Sequence, residues 1–129
     1  MTEGYYLFDL DNKSFLSFIE TLTVDEIKSN KEKLFPEAVD FIKSGKISDY
    51  LAFDFYKRNK KYVLRDAENF FIDRINKELL FTGESHYLKI AEAIDQINMI
   101  NRERAGKISD ELRTNYKRRT SLIKMIDRF

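Results

Sequence analysis

Two aspartates stand closest to chemistry in this chain. Asp9 and Asp11 follow the apolar run Tyr5-Tyr6-Leu7-Phe8, with Leu10 between them. Carboxylates at this spacing can supply a nucleophile beside an acid, or oxygens for a divalent cation. Histidine is the side chain that ordinarily exchanges a proton near neutral pH, and the chain has one, His86. No nucleophile or carboxylate pattern surrounds it in the sequence, so it reads as an exposed first-turn residue after a Ser85 cap. Asp25-Glu26 and Asp110-Glu111 fall at expected helix starts, where carboxylates oppose the macrodipole. The absence of cysteine removes disulfides, thiolate catalysis and cysteine-ligated zinc together. With no glycine-rich phosphate loop either, neither metal nor cofactor is expected, and the chain reads as non-enzymatic.

The stretch 5–15, YYLFDLDNKSF, resembles the opening motif of haloacid-dehalogenase-type phosphatases, an apolar run followed by Asp-x-Asp. That resemblance implies Asp9 as phosphoryl acceptor, Asp11 as general acid, and magnesium between them. It departs at Lys13, where the family has Thr or Val, and no later strands supply the parallel sheet that fold needs. The same stretch resembles a calcium loop of the EF-hand type, which implies Asp9, Asp11, Leu16 and Glu20 at its first, third, eighth and twelfth positions. Lys13 then stands where an oxygen ligand is required, and Ser14 replaces the turn glycine. A turn with solvated carboxylates leading into a capped helix accounts for the same residues.

Two charged surfaces remain as binding candidates. The acidic one combines Asp9, Asp11, Asp25 and Glu26, with Glu3, Glu32, Glu37 and Asp40 nearby in sequence, and the aromatics Tyr5, Tyr6 and Phe8. Aromatic anchors ringed by carboxylates suit a basic protein partner. The basic one places Arg113, Lys117, Arg118 and Lys124 on an expected last helix, where they would serve as counter-charges to phosphates. Asp110, Glu111 and Asp127 dilute it. The net charge of +1 conceals a division: residues 1–56 hold 6 Lys and Arg against 11 Asp and Glu, and residues 57–129 hold 17 against 11.

The chain must position these groups on helices. Its 129 residues fit one domain, and 35% charged residues with only four Gly and one Pro favour an all-α protein over a turn-rich sandwich. No stretch is long and apolar enough for a membrane span, and the acidic N-terminus is unlike a signal peptide, so a cytoplasmic protein without membrane contact is expected. Leu64, Ala67, Phe71, Ile75 and Leu79 recur every three or four residues and predict a central helix over 61–81. Val63, Phe70 and Ile72 widen its stripe, so it should bury more than one side.

Around that helix the pattern predicts a non-helical arm at 5–10, a short helix capped by Ser14, and a helix from Val24 after the capping box Thr23–Glu26. Pro36 should restart a helix that Gly45 stops, and Ser48 should cap the next, from Asp49 to about Arg58. Whether 49–81 is one helix or two stays open. Tyr87, Ile90, Ile94 and Ile97 stripe a helix after Ser85, Gly106 should end it, and Ser109 should cap the last helix. The heptapeptides 45–51, GKISDYL, and 106–112, GKISDEL, agree at six of seven positions and read as two uses of one helix-stop, helix-start connector.

The reading is thus an all-α, compact single-domain bundle of five to seven helices spanning 1–129, which acts by binding another macromolecule. In class it resembles bacterial immunity proteins, small helical inhibitors that neutralise a toxin, often a basic nuclease. The likeness implies a toxin partner, and the acidic, aromatic surface described above assigns its contacts to Tyr5, Tyr6, Asp9, Asp11, Asp25 and Glu26. The alternative is a nucleic-acid-associated protein using Arg113, Lys117, Arg118 and Lys124.

Overall fold

The structure, a computed structural model, describes the backbone of residues 12–17 and 31–128 and the side chains of 12–17 and 35–128. These residues are all-α, and no strand occurs among them. The chain divides into two compact units, 1–63 and 64–129.

The first unit contains α1 (12–17), α2 (Lys31–Lys43) and α3 (Asp49–Asn59). Its core is aromatic. Phe15, Phe35 and Phe55 are each at most 2% exposed, and the Phe15 ring meets Phe41 and Phe55 edge-on at 6.1 and 5.8 Å. Phe35 stacks on Tyr62 at 4.9 Å. Each buried Phe contributes about 2 kcal/mol, with roughly 1 kcal/mol more per well-placed ring pair.

Two sequence expectations change in this unit. Ser14 lies within α1, so it is not the cap. Pro36 lies inside α2, so the helix is continuous where a restart was expected. The ring removes one backbone donor, but Phe35, Ala38 and Val39 are buried around it and offset that loss. In α3, Ala52, Phe55 and Tyr56 face inward, while Tyr50 is 79% exposed. The arm at 5–10, the Thr23–Glu26 box and the start at Val24 lie outside the described residues.

The connector at 44–48 forms as its sequence predicts. Gly45 adopts φ +77°, and its N–H reaches the Ile42 carbonyl at 3.2 Å. Ser48 Oγ accepts from the Leu51 N–H at 3.3 Å, while the Ser48 N–H donates to Asn12 Oδ1 at 3.0 Å. Residues 49–81 hold two helices. Asn59 and Lys60 donate side-chain hydrogen bonds to the carbonyls of Phe55 and Lys57, which ends α3.

The second unit contains α4 (Leu64–Glu78), α5 (Glu84–Ile100), α6 (Arg102–Asn115) and α7 (Thr120–Asp127). Its hub is α5, which packs against α4, α6 and α7. The stretch 61–81 does not have that role: α4 buries one stripe, Ala67, Phe71 and Ile75, while Leu64 stays 51% exposed. In α5, Ile90, Ala91, Ala93 and Ile97 are all fully buried, and the two alanines let neighbours approach closely. Gln96 is buried there too, and its Oε1 has no hydrogen-bond partner among the described residues.

Helix boundaries in this unit depart from the Ser and Gly cues. Gly83 itself is the N-cap of α5, at φ +123°, and Ser85 lies inside the helix. Gly106 and Ser109 both lie inside α6, so neither stops nor starts a helix. Asn101 does both: its N–H donates to the Ile97 carbonyl at 2.7 Å, and its Oδ1 accepts from the Arg104 N–H at 3.1 Å. The expected last helix is two helices, interrupted at residues 116–119.

Candidate functional site

The six residues of the acidic candidate surface, Tyr5, Tyr6, Asp9, Asp11, Asp25 and Glu26, lie outside the described residues. Two further members of that set are described. Phe35, Ala38 and Val39 turn one face of α2 inward, and this places Glu37 and Asp40 on the exposed side. Ser48 capping puts Asp49 and Tyr50 in the first turn of α3, both exposed. The described part of the first unit therefore presents carboxylates and an exposed tyrosine in the same unit.

The helical segment at 12–17 also bears on the calcium-loop resemblance. It runs through what would be the middle of the loop, and Leu16, which that loop would turn inward, is 47% exposed. No group of three or more potential metal ligands occurs among the described residues.

The basic candidate surface is dispersed. Arg113, Lys117 and Lys124 cannot share one helical face, because α6 ends at Asn115 and α7 begins at Thr120. Arg113 is already engaged: Nη2 donates to Asp127 Oδ1 at 2.7 Å, and Nη1 lies 3.4 Å from Asp110. The hydrogen bond to Asp127 raises the Arg113 pKa above its ordinary value, with both carboxylates adding attraction. Lys117 and Arg118 are exposed in the interruption, and Lys124 is exposed on α7. Lys124 borders a shallow groove of about 380 Å³ with Gly83, Tyr87 and Met125.

Sequence reasoning missed two polar clusters. His86 Nδ1 lies 2.5 Å from Glu78 Oε2, and the Phe81 ring stacks on the imidazole at 4.8 Å. Lys89 approaches the other Glu78 oxygen at 3.9 Å. The histidine thus ties the last turn of α4 to the first turn of α5; it holds the expected first-turn position but is partly buried where an exposed residue was expected. Arg119 is the second cluster. Its Nη1 donates to the carbonyls of Leu79 at 3.0 Å and Phe81 at 3.5 Å, and its guanidinium covers the Tyr116 ring. These bonds satisfy acceptors left open beyond the end of α4. The only local cue for either cluster was Gly83, which marks the turn that brings Glu78 and His86 together.

A groove of about 480 Å³ runs between α4 and α6. Ile75, Leu79, Ile108 and Leu112 line it together with Arg104 and Lys107. Those two cations face Glu68 at 3.9 Å and Glu103 at 3.8 Å. No described helix is long and apolar enough to cross a membrane. No known family, curated protein or solved structure matches the chain.

Proposed function

We propose that this chain is a non-enzymatic protein-binding module of the immunity type, a bacterial cytoplasmic inhibitor that covers a basic surface of a toxin. The observation that carries the reading is the exposure of Glu37, Asp40 and Tyr50 in the first unit. They continue the acidic, aromatic pattern of Tyr5, Tyr6, Asp9, Asp11, Asp25 and Glu26 along the chain. Carboxylates at such a surface steer encounter with a cationic partner, and the tyrosines add contact area at small entropic cost.

The alternative uses Arg113, Lys117, Arg118 and Lys124 on nucleic-acid phosphates. Lys117, Arg118 and Lys124 are exposed, but Arg113 would have to leave Asp127 and Asp110. The deciding experiment is a pull-down from the native cell, run with the wild-type chain and with a variant combining Asp9→Lys, Asp11→Lys, Asp25→Lys and Glu26→Lys. A partner captured by wild type and lost by the variant supports the immunity reading, and a partner kept equally by both rejects the assigned surface. Retention on heparin that falls steeply with salt, and that is lost on Lys117→Glu with Arg118→Glu, would favour nucleic acid instead.

A further inference from the structure

The corner between α4 and α5 carries an apolar tip on a rigid mount. Leu80 is 79% exposed and Phe81 54%. Both sit in a turn closed by N–H bonds from Leu80 to the Lys77 carbonyl at 3.2 Å and from Phe81 to Glu78 at 3.1 Å. Arg119 clamps the same turn through the carbonyls of Leu79 and Phe81, and the Phe81 ring rests on His86. The tip is therefore held outward, where a loose turn would fold its side chains back.

The exposed charge around the tip is chiefly positive. Lys77 is exposed in the last turn of α4, and Lys117 and Arg118 are exposed immediately before the clamping Arg119. Of the nearby carboxylates, Glu78 is already engaged by His86 and Lys89, and Glu84 is exposed in the first turn of α5.

We propose that this corner is a peripheral membrane contact, in which Leu80 and Phe81 enter the interface of an anionic bilayer while Lys77, Lys117 and Arg118 meet its headgroups. A convex tip of two side chains is much smaller than the roughly 800 Å² a specific protein interface buries on each partner, yet it suits a surface that yields around it. Leu80 has no π-face on which a nucleic-acid base would stack. Lysines and arginines near an anionic leaflet add attraction residue by residue, and salt screens it. With only two apolar side chains the contact is reversible, and it does not depend on the immunity reading.

The test is cosedimentation of the full chain with vesicles of phosphatidylcholine alone and of phosphatidylcholine mixed with phosphatidylserine. Binding is expected to the mixed vesicles only, and to weaken with added salt. Leu80→Asp should lower the partition coefficient about tenfold, as should Lys117→Glu combined with Arg118→Glu. Met99→Asp, at a side chain 58% exposed elsewhere on α5, should leave it unchanged. Circular dichroism should be the same for all three variants, since every substituted side chain is exposed. Failure of wild type to bind the mixed vesicles overturns the proposal, even if the chain binds an acidic protein or DNA. So does a Leu80→Asp variant that binds like wild type, or a Met99→Asp variant that loses as much.

Discussion

Residues 45–51 and 106–112 differ only at Tyr50 and Glu111, yet the first heptapeptide is a turn followed by a helix start and the second is helix throughout. The differing residue does not decide this, because both side chains are exposed. The preceding chain does. Before Gly45, α2 ends with Ser44 bonding back, its Oγ donating to the Phe41 carbonyl at 2.6 Å and accepting from the Lys46 N–H at 3.3 Å. Before Gly106, Asn101 has already started a helix with its side-chain cap, so the glycine falls inside. A glycine followed by Ser-Asp is thus permitted to stop and restart a helix, and the neighbouring caps determine whether it does so.

Substituting the paired positions would break this comparison or sharpen it. The largest separation is expected at the isoleucines. Ile47 is 7% exposed and packs the connector onto the first unit, so Ile47→Ala should cost about 2–4 kcal/mol. Ile108 is half-buried on an open groove, and Ile108→Ala should cost roughly 1 kcal/mol. Urea midpoints at constant m-value measure both. Equal losses would show that the two segments are packed alike.

The glycines should differ in sign. A methyl group built on either meets nothing within 4 Å, so space does not separate them. Backbone conformation does: Gly45 is at φ +77°, where an L side chain costs about 1–2 kcal/mol, so Gly45→Ala should destabilise by that amount. Gly106 is helical, and Gly106→Ala should stabilise by about 0.5–1 kcal/mol. A destabilising Gly106→Ala would mean that α6 does not run through this point.

Ser48→Ala removes the hydroxyl that accepts from the Leu51 N–H and should cost about 1 kcal/mol. Ser109→Ala, inside α6, should change stability by no more than a few tenths of a kcal/mol, toward a gain, since alanine is the better helix former.

The periodic features were legible. The all-α class, the stripe of Ala67, Phe71 and Ile75, and the stripe of Tyr87, Ile90, Ile94 and Ile97 follow from spacing alone. The Gly45–Ser48 connector was legible because both cues coincide with the end of a helix. At Ser85, Gly106 and Ser109 the same residue types misled, since a cap residue acts only where the backbone leaves orphan donors. The interruption at 116–119 carries no Gly or Pro. It is held by Arg119, whose partners lie 40 and 38 residues away, a separation no local pattern records. For the candidate sites, the acidic residues were chosen by composition and charge, and Glu37 and Asp40 of that group are exposed. The basic set assumed one continuous helix, and the break removes the shared face. The charge division also differs from the structural one, because the basic run Lys57–Lys61 belongs to the first unit.

The smallest expected difference lies at the paired aspartates. Asp49 stands in the first turn of α3, where a carboxylate opposes the helix dipole, so Asp49→Ala should cost about 0.5 kcal/mol, and less in high salt. Asp110 stands in mid-helix, where no free N–H groups await a charge. It is 80% exposed and meets Arg113 at 3.4 Å, and Asp127 holds the same guanidinium at 2.7 Å. Removing Asp110 therefore leaves Arg113 paired, and Asp110→Ala should change stability by no more than about 0.3 kcal/mol. Repeating Asp110→Ala in an Asp127→Asn background separates the two partners. A larger loss there than in wild type means that the two carboxylates substitute for each other at Arg113. An equal, salt-sensitive loss of about 0.5 kcal/mol in both backgrounds would instead assign Asp110 to a helix start, and the two heptapeptides would then share one structure.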